Sequence, residues 1–311
     1  MKKALLSKIA LFFTIISFSQ SWEYVGNSKF IPDVYEENFN MTVTKDGKPI
    51  VYFKEERQSN RGKTRIFNGT NWIPYGPENG FGPGSETELN IETDNDNNIV
   101  TVYEAVRGYG QRYTDRYRGL HHSFSQGRTS YLDLAISKKS NHPYVVFSDE
   151  YYRSRATVSQ YNYTTNLWEI VGSPGFTGFT VRYTTIAIDN NDTPYIVFQD
   201  RNESAKISVM KFDGTNWVYV GEPGFINGEA RYTSIAINSK NEVYIIYTNK
   251  LNGYKAIVKK FDGTNWINLG ESQFISDGPS YSNQIKISKN DTPYIAINDL
   301  ANGGKATVKR F

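Results

Sequence analysis

Apolar and polar residues alternate with a period of two along most of this chain, in short runs broken by Asp, Asn, Gly, Thr and Pro. Tyr183-Thr-Thr-Ile-Ala-Ile188 reads as a strand, Asp189-Asn-Asn-Asp-Thr-Pro194 as a hairpin turn, and Tyr195-Ile-Val-Phe198 as the returning strand. After a polar loop, Lys206-Ile-Ser-Val-Met-Lys-Phe212 is a third strand, Asp213-Gly214 a tight turn, and Trp217-Val-Tyr-Val220 a fourth. Four short antiparallel strands, A to D with A innermost, make one unit. Its A-to-B and C-to-D turns share one face, and its B-to-C and D-to-A loops share the other.

The unit repeats. Phe212-Asp-Gly-Thr-Asn-Trp217 returns as Phe261-Asp-Gly-Thr-Asn-Trp266 and, more distantly, as Phe67-Asn-Gly-Thr-Asn-Trp72 and Tyr163-Thr-Thr-Asn-Leu-Trp168. A Phe follows each Trp at a spacing of 8 or 9 residues, giving Phe30, Phe81, Phe176, Phe225 and Phe274, and Phe124 marks a further unit in which Arg116 stands where a Trp is expected. The six Phe are 51, 43, 52, 49 and 49 residues apart, a propeller-type period. The pattern predicts an all-β, six-bladed β-propeller of four-stranded antiparallel blades. The chain ends in a C strand, 305 to 311, and starts, past its first residues, with a D strand, 22 to 25. Pairing these two would close the ring, which removes exposed sheet edges.

Met1-Lys2-Lys3, the apolar stretch from Ala4 to Phe18 and the small residues after it have the form of a secretory signal peptide over 1–19, leaving 20–311 as the propeller. Export follows, to the periplasm, the cell surface or the medium, with no membrane span in the mature chain. Removing 1–19 takes away three Lys and brings 35 basic against 32 acidic residues to 32 against 32. Such neutrality argues against a nucleic-acid partner. With no Cys there is no disulfide or thiolate chemistry, so the core alone must hold the fold.

Units reading Phe212-Asp-Gly-Thr-Asn-Trp-Val-Tyr-Val-Gly-Glu-Pro-Gly-Phe225, followed by Tyr232-Thr-Ser-Ile-Ala-Ile237, resemble the tandem propeller repeats of secreted Bacteroidetes-type proteins. The resemblance implies a fold and no single activity. Sialidases also pair six blades with carboxylate-binding Arg. Here the Ser-x-Asp-x-Gly-x-Thr-Trp box is not met at Asp213-Gly-Thr-Asn-Trp217, and no Phe-Arg-Ile-Pro-type segment lies near the start, so their catalytic residues are not carried over.

Function is expected on the face of the variable B-to-C and D-to-A loops. Departures from the repeat cluster in the first three units: Glu55 to Arg61 with Arg57, Glu104 to Tyr113 with Arg107, Tyr109 and Arg112, and Asp149 to Arg155 with Glu150, Tyr151, Tyr152 and Arg153. His121 and His122 precede the third unit. Tyr131, Tyr183, Tyr232 and Tyr281 recur at the start of strand A, with Arg182 and Arg231 before two of them. Aromatic rings against sugar faces, with Arg donating to hydroxyls, describe a non-enzymatic, lectin-like binding propeller for a polysaccharide or surface glycan, or else for a protein partner. The alternative is a polysaccharide-degrading enzyme with His122, Tyr109, Arg112, Glu104 and Glu150 as catalytic groups. A uronate lyase, with Arg acidifying a C–H that Tyr or His deprotonates, ranks before a glycoside hydrolase built on Glu104 and Glu150. No cofactor is expected. Asp94-Asn-Asp-Asn-Asn98 alternates oxygen ligands as a calcium loop does but lacks its Gly and distal Glu, and the three His lack zinc spacing.

Overall fold

The computed structural model describes residues 22–27, 34–55, 63–76, 89–104, 109–114, 123–270 and 273–311, with 34–39, 54–55, 89, 104, 109–114 and 305 as backbone alone. The leader expected over 1–19 lies outside these residues. All strand pairs are antiparallel, and the strands form five blades where the sequence predicts six. Four blades have four strands, and one sheet has seven.

The seven-stranded sheet arises at a single strand, Ser123–Ile136, which is 14 residues long. Its first part pairs with Tyr109–Thr114, in the register Tyr109↔Arg128 and Gln111↔Ser123. Its second part pairs with Pro143–Asp149, from Asp149↔Thr129 to Pro143↔Ile136. One strand therefore serves as the outer strand of the second repeat and the inner strand of the third. The short 43-residue spacing and the Arg at 116 fall at this place, where no Asp-Gly turn and no Trp separate the two repeats.

At the chain ends, Glu23–Tyr24 pairs with Lys305–Arg310 in the register Glu23↔Arg310 and Tyr24↔Lys309. Trp22 meets Phe311 at 5.4 Å between ring centroids. Inside continuous repeats, Phe67–Trp72, Phe212–Trp217 and Phe261–Trp266 meet at 5.5, 5.7 and 5.2 Å.

The Trp and Phe landmarks are inter-repeat packing. Phe176 stacks on Trp217 of the following repeat at 4.3 Å and 5°, and Phe225 stacks on Trp266 at 5.0 Å and 14°. The indole N–H of Trp72, Trp217 and Trp266 donates backward to the carbonyls of Val25, Val171 and Val220 at 3.0–3.1 Å. Room for this comes from a glycine after each outer strand. A Cβ on Gly172 would lie 2.9 Å from Phe212, and its φ of +75° also favours glycine. Second strands Pro143–Asp149, Pro194–Asp200 and Val243–Asn249 are buried at every position, because each is covered on both faces by neighbouring strands and blades. Burying each Val, Ile or Phe there contributes about 1.5–3 kcal/mol.

On the face of the A-to-B turns, one device links successive repeats. Asn97, Asn141, Asp192, Asn241 and Asp291 all have left-handed backbones, with φ of 57–67°. The side-chain oxygen of each accepts from the preceding repeat's turn: from Lys45 N at 2.7 Å, Asn95 N at 3.0 Å, the Ser137 hydroxyl, Asn190 N at 3.1 Å and Ser239 N at 2.8 Å. Asn and Asp are the side chains that tolerate this backbone. Here the calcium-like segment finds its role. The Asp94 carboxylate is occupied by Asp96 N, Asn98 N and the Asn98 amide at 2.8–2.9 Å, which makes it a turn cap. Among the described residues, no three His, Asp or Glu side chains group as metal ligands. No helix among them is long and apolar enough to cross a membrane.

Candidate functional site

The B-to-C loops supply the first part of the variable face. Glu150–Tyr152, Lys250–Asn252 and Leu300–Asn302 each form a single 3-10 turn, opened by Asp149, Asn249 and Asp299, whose side chains accept from the N–H two residues on. Each turn ends in a left-handed residue, Arg153, Gly253 and Gly303 respectively. The third repeat's loop, which departs so clearly in sequence, thus keeps the backbone of the plainer ones. Its novelty is in the side chains: Glu150 is exposed, Tyr151 is 63% exposed and packs edge-on against Tyr152 at 5.1 Å, and Arg153 takes a glycine-type position.

The second part is a row of tyrosines at the start of the inner strands. Tyr131, Tyr183 and Tyr232 occupy equivalent bulges, with φ of 54, 50 and 52°. A left-handed backbone in a bulky residue costs on the order of 1–3 kcal/mol and persists only where its surroundings enforce it. The enforcing groups come from the next repeat. The Thr184 hydroxyl donates to the Tyr131 carbonyl, the Thr233 hydroxyl to that of Tyr183, and the Asn283 amide to that of Tyr232 at 3.0 Å. The rings are half-buried and step around the mouth at 5.0 Å from Tyr131 to Tyr183 and again from Tyr183 to Tyr232. Burial and the neighbouring phenols push the Tyr183 hydroxyl up to about 12. It stays neutral at ordinary pH, which suits a hydrogen-bonding platform and not a proton-abstracting base.

Register corrects one member of the row. Ala230 opposes Asn249 and Ser280 opposes Asp299, the corresponding loop caps, so Tyr281 stands where Arg231 stands and Ser282 where Tyr232 does. Tyr281 still joins the cluster, 5.9 Å from Tyr232 and 5.9 Å from Tyr254.

Charge is concentrated beside these rings. The Arg231 guanidinium grips Glu229 through Nε at 2.7 Å and a terminal nitrogen at 2.6 Å, and lies 5.5 Å from the Tyr254 ring centroid. Lys250 reaches the same carboxylate at 3.3 Å. The Arg231 hydrogen bonds hold the Glu229 carboxyl below the usual range, and the same bonds raise Arg231. Arg182, at the equivalent place one repeat earlier, is exposed and has no ion-pair partner among the described residues.

Arg182, Tyr183, Arg231 and Tyr232 therefore come together, while Glu150, Tyr151, Tyr152 and Arg153 sit on the third repeat's loop. Glu104 ends one strand, and Tyr109 and Arg112 lie on the next. Their side chains, and Arg57, Arg107 and His122 entirely, fall outside the described residues. Sequence reasoning missed Glu229, Lys250 and Tyr254. Glu229 stands two residues before Arg231, just ahead of the strand Ala230–Ile237, and that spacing of opposite charges was the available signal.

A second charged group was also missed. Inner-strand residues Asn40, Asn90, Asp133 and Ser234 form a buried polar layer that the half-buried Gln284 continues, joined by Asn40–Asn90 and Ser234–Gln284 contacts. Below it, Lys286 Nζ meets Glu92 at 3.0 Å, beside a cavity of about 110 Å³ that Ala135, Ala187 and Ala236 also line. Burial drives Asp133 up to about 6 although Lys286 opposes the shift, and burial lowers Lys138. Lys286 itself loses solvation, but the Glu92 and Asp133 charges outweigh that and raise it.

No protein-family model matches the chain, and no curated protein does. Solved structures resemble it in fold. AofleA from Arthrobotrys oligospora superposes with a TM-score of 0.60 at 11% identity, covering 94% of this chain and 86% of that one. The SapL1 lectin in complex with alpha methyl fucoside gives 0.64 at 12%, covering 89% and 92%. The Hadza microbial sialidase Hz136 gives 0.57 at 12%, covering 88% of this chain and 64% of that one. At such identities the likeness is one of architecture, so what the chain shares with AofleA, the SapL1 lectin and this sialidase is the propeller arrangement of four-stranded antiparallel blades.

Proposed function

We propose that this protein is a non-enzymatic, carbohydrate-binding propeller whose variable-face mouth holds a glycan against Tyr131, Tyr183 and Tyr232. One observation carries the reading: three bulky tyrosines are held at positive φ in equivalent places, each clamped from the next repeat, with rings still reaching solvent. Packing alone is served as well by an unstrained residue, whereas a sugar ring needs an aromatic face. Arg231, already oriented by Glu229, would donate to sugar hydroxyls. That lectins such as SapL1 share the architecture supports the reading.

The seven-stranded sheet counts as two repeats in this reading, and the pairing of Glu23–Tyr24 with Lys305–Arg310 acts as the clasp of a ring. Supporting it, Gly47 of the first repeat lies against Ser288 of the sixth, with a Cβ there 3.9 Å away, and Lys286 of the sixth reaches Glu92 of the second. The first 19 residues act as an export signal in the same reading.

The test is electrophoresis of the chain from residue 20 onward through native gels cast with single polysaccharides and stained for protein and polymer. Retardation with intact polymer, lost in Tyr183→Gly and Tyr232→Gly, is the expected result. A cleared track would replace this reading with a degrading enzyme, and no retardation in any gel would move a protein partner to first place.

A further inference from the structure

Successive repeats differ at one mouth position in a way that bears on ligand charge. Opposite the second strand, the residue before the bulge is Ser130 in the third repeat, Arg182 in the fourth, Arg231 in the fifth and Tyr281 in the sixth. Arg231 is committed to Glu229, which Lys250 shares. At the place of Glu229 the fourth repeat has Thr180, whose hydroxyl turns away to the Arg153 carbonyl at 3.2 Å. Arg182 therefore keeps a full set of donors without a carboxylate among the described residues. Two cations, Arg231 and Lys250, share the single Glu229 carboxylate, and Arg182 stands one repeat earlier with no ion-pair partner among the described residues, although the whole chain is nearly balanced at +3.

From this asymmetry we infer that the mouth selects acidic glycans, with the Arg182 guanidinium pairing with the carboxylate of a sugar acid whose ring lies on the Tyr131–Tyr183 step. This rests on the carbohydrate-binding reading above and adds the charge of the ligand. A planar guanidinium matches a carboxylate through two parallel hydrogen bonds, and beside aromatic rings it is less screened than in bulk water. Arg231, Glu229 and Lys250 serve the uncharged hydroxyls, since their charges are largely satisfied within the group.

Matched polymers separate the inference from its foundation. Galacturonan and its methyl ester, and sialylated mucin and its desialylated form, are cast in native gels at low salt with the wild-type chain, Arg182→Gln and the regular-face control Lys240→Gln. We expect the charged member of at least one pair to retard the wild type about tenfold more strongly than its neutral partner, Arg182→Gln to erase that difference, and Lys240→Gln to keep it. Equal retardation by charged and neutral members, or equal losses in Arg182→Gln and Lys240→Gln, overturns the acidic preference and leaves the glycan reading standing. No retardation by either member of these pairs, nor by any other polysaccharide, overturns both. Unchanged thermal unfolding of Arg182→Gln, expected for an exposed side chain, shows that a binding loss is not a folding loss.

Discussion

The two faces of the propeller use the same kinds of polar residue to opposite ends. On the A-to-B face, Asn97, Asn141, Asp192, Asn241 and Asp291 each spend a side-chain oxygen on the neighbouring repeat. At the opposite mouth, the clamps Thr184, Thr233 and Asn283 hold tyrosine carbonyls, while the tyrosine rings and part of Arg231 reach solvent and Arg182 is exposed with no ion-pair partner among the described residues. Repetition alone does not tell these apart, because both sets recur at a fixed period. The hydrogen-bond inventory does: a polar group already satisfied inside the protein has little left for a ligand.

Substitutions can break this contrast. The largest effect is expected from neither face but from the packing between them. Trp266→Ala removes the stack on Phe225 and the bond to Val220 and should cost about 3–5 kcal/mol in denaturant unfolding. A loss under 1 kcal/mol would mean that the landmark aromatics do not hold neighbouring repeats together.

Asp133 comes next and has the opposite sign. Burial holds its pKa at about 6 when folded, against an ordinary 3.8, so folding favours its protonated form. The stability this confers is present below about pH 4 and is lost as pH rises through 6. Asp133→Asn should therefore stabilise the protein by about 2–3 kcal/mol at pH 7 and leave it unchanged at pH 3.5, as read by unfolding at both pH values. Asn already fills the equivalent layer in the first two repeats, as Asn40 and Asn90.

Smaller changes sharpen the comparison of faces directly. Asn241→Ala deletes a latch and puts a Cβ without a polar tip at positive φ, for an expected loss of about 1–2 kcal/mol with glycan retardation intact. Tyr183→Gly should cost under about 1 kcal/mol, because relief of the left-handed strain offsets the loss of a half-buried ring, while retardation disappears. If Tyr183→Gly proved as destabilising as a core truncation, the tyrosines would be packing and the binding reading would lose its main support.

Much of this was legible in the chain. The Trp and Phe spacings mark the repeats, and the Asp-Gly and Asn-Asp turns mark the hairpins, since both signals lie within a few residues of one another. Arg182, Tyr183, Arg231 and Tyr232 were legible as well, as recurring residues that a strand pattern does not need. Lys286 with Glu92 was not, because an ion pair between residues 194 apart leaves no local trace.

The amino-acid order by itself determined the strands, their turns and their period, because side-chain alternation and turn chemistry act over short stretches. Only the tertiary structure decided that Ser123–Ile136 fuses two repeats into one sheet, that Tyr281 falls in the place of an arginine, and that Glu229 occupies Arg231 while Arg182 has no ion-pair partner among the described residues. Those outcomes depend on register and on which neighbour reaches a charge first, and both are settled when strands from distant parts of the chain meet.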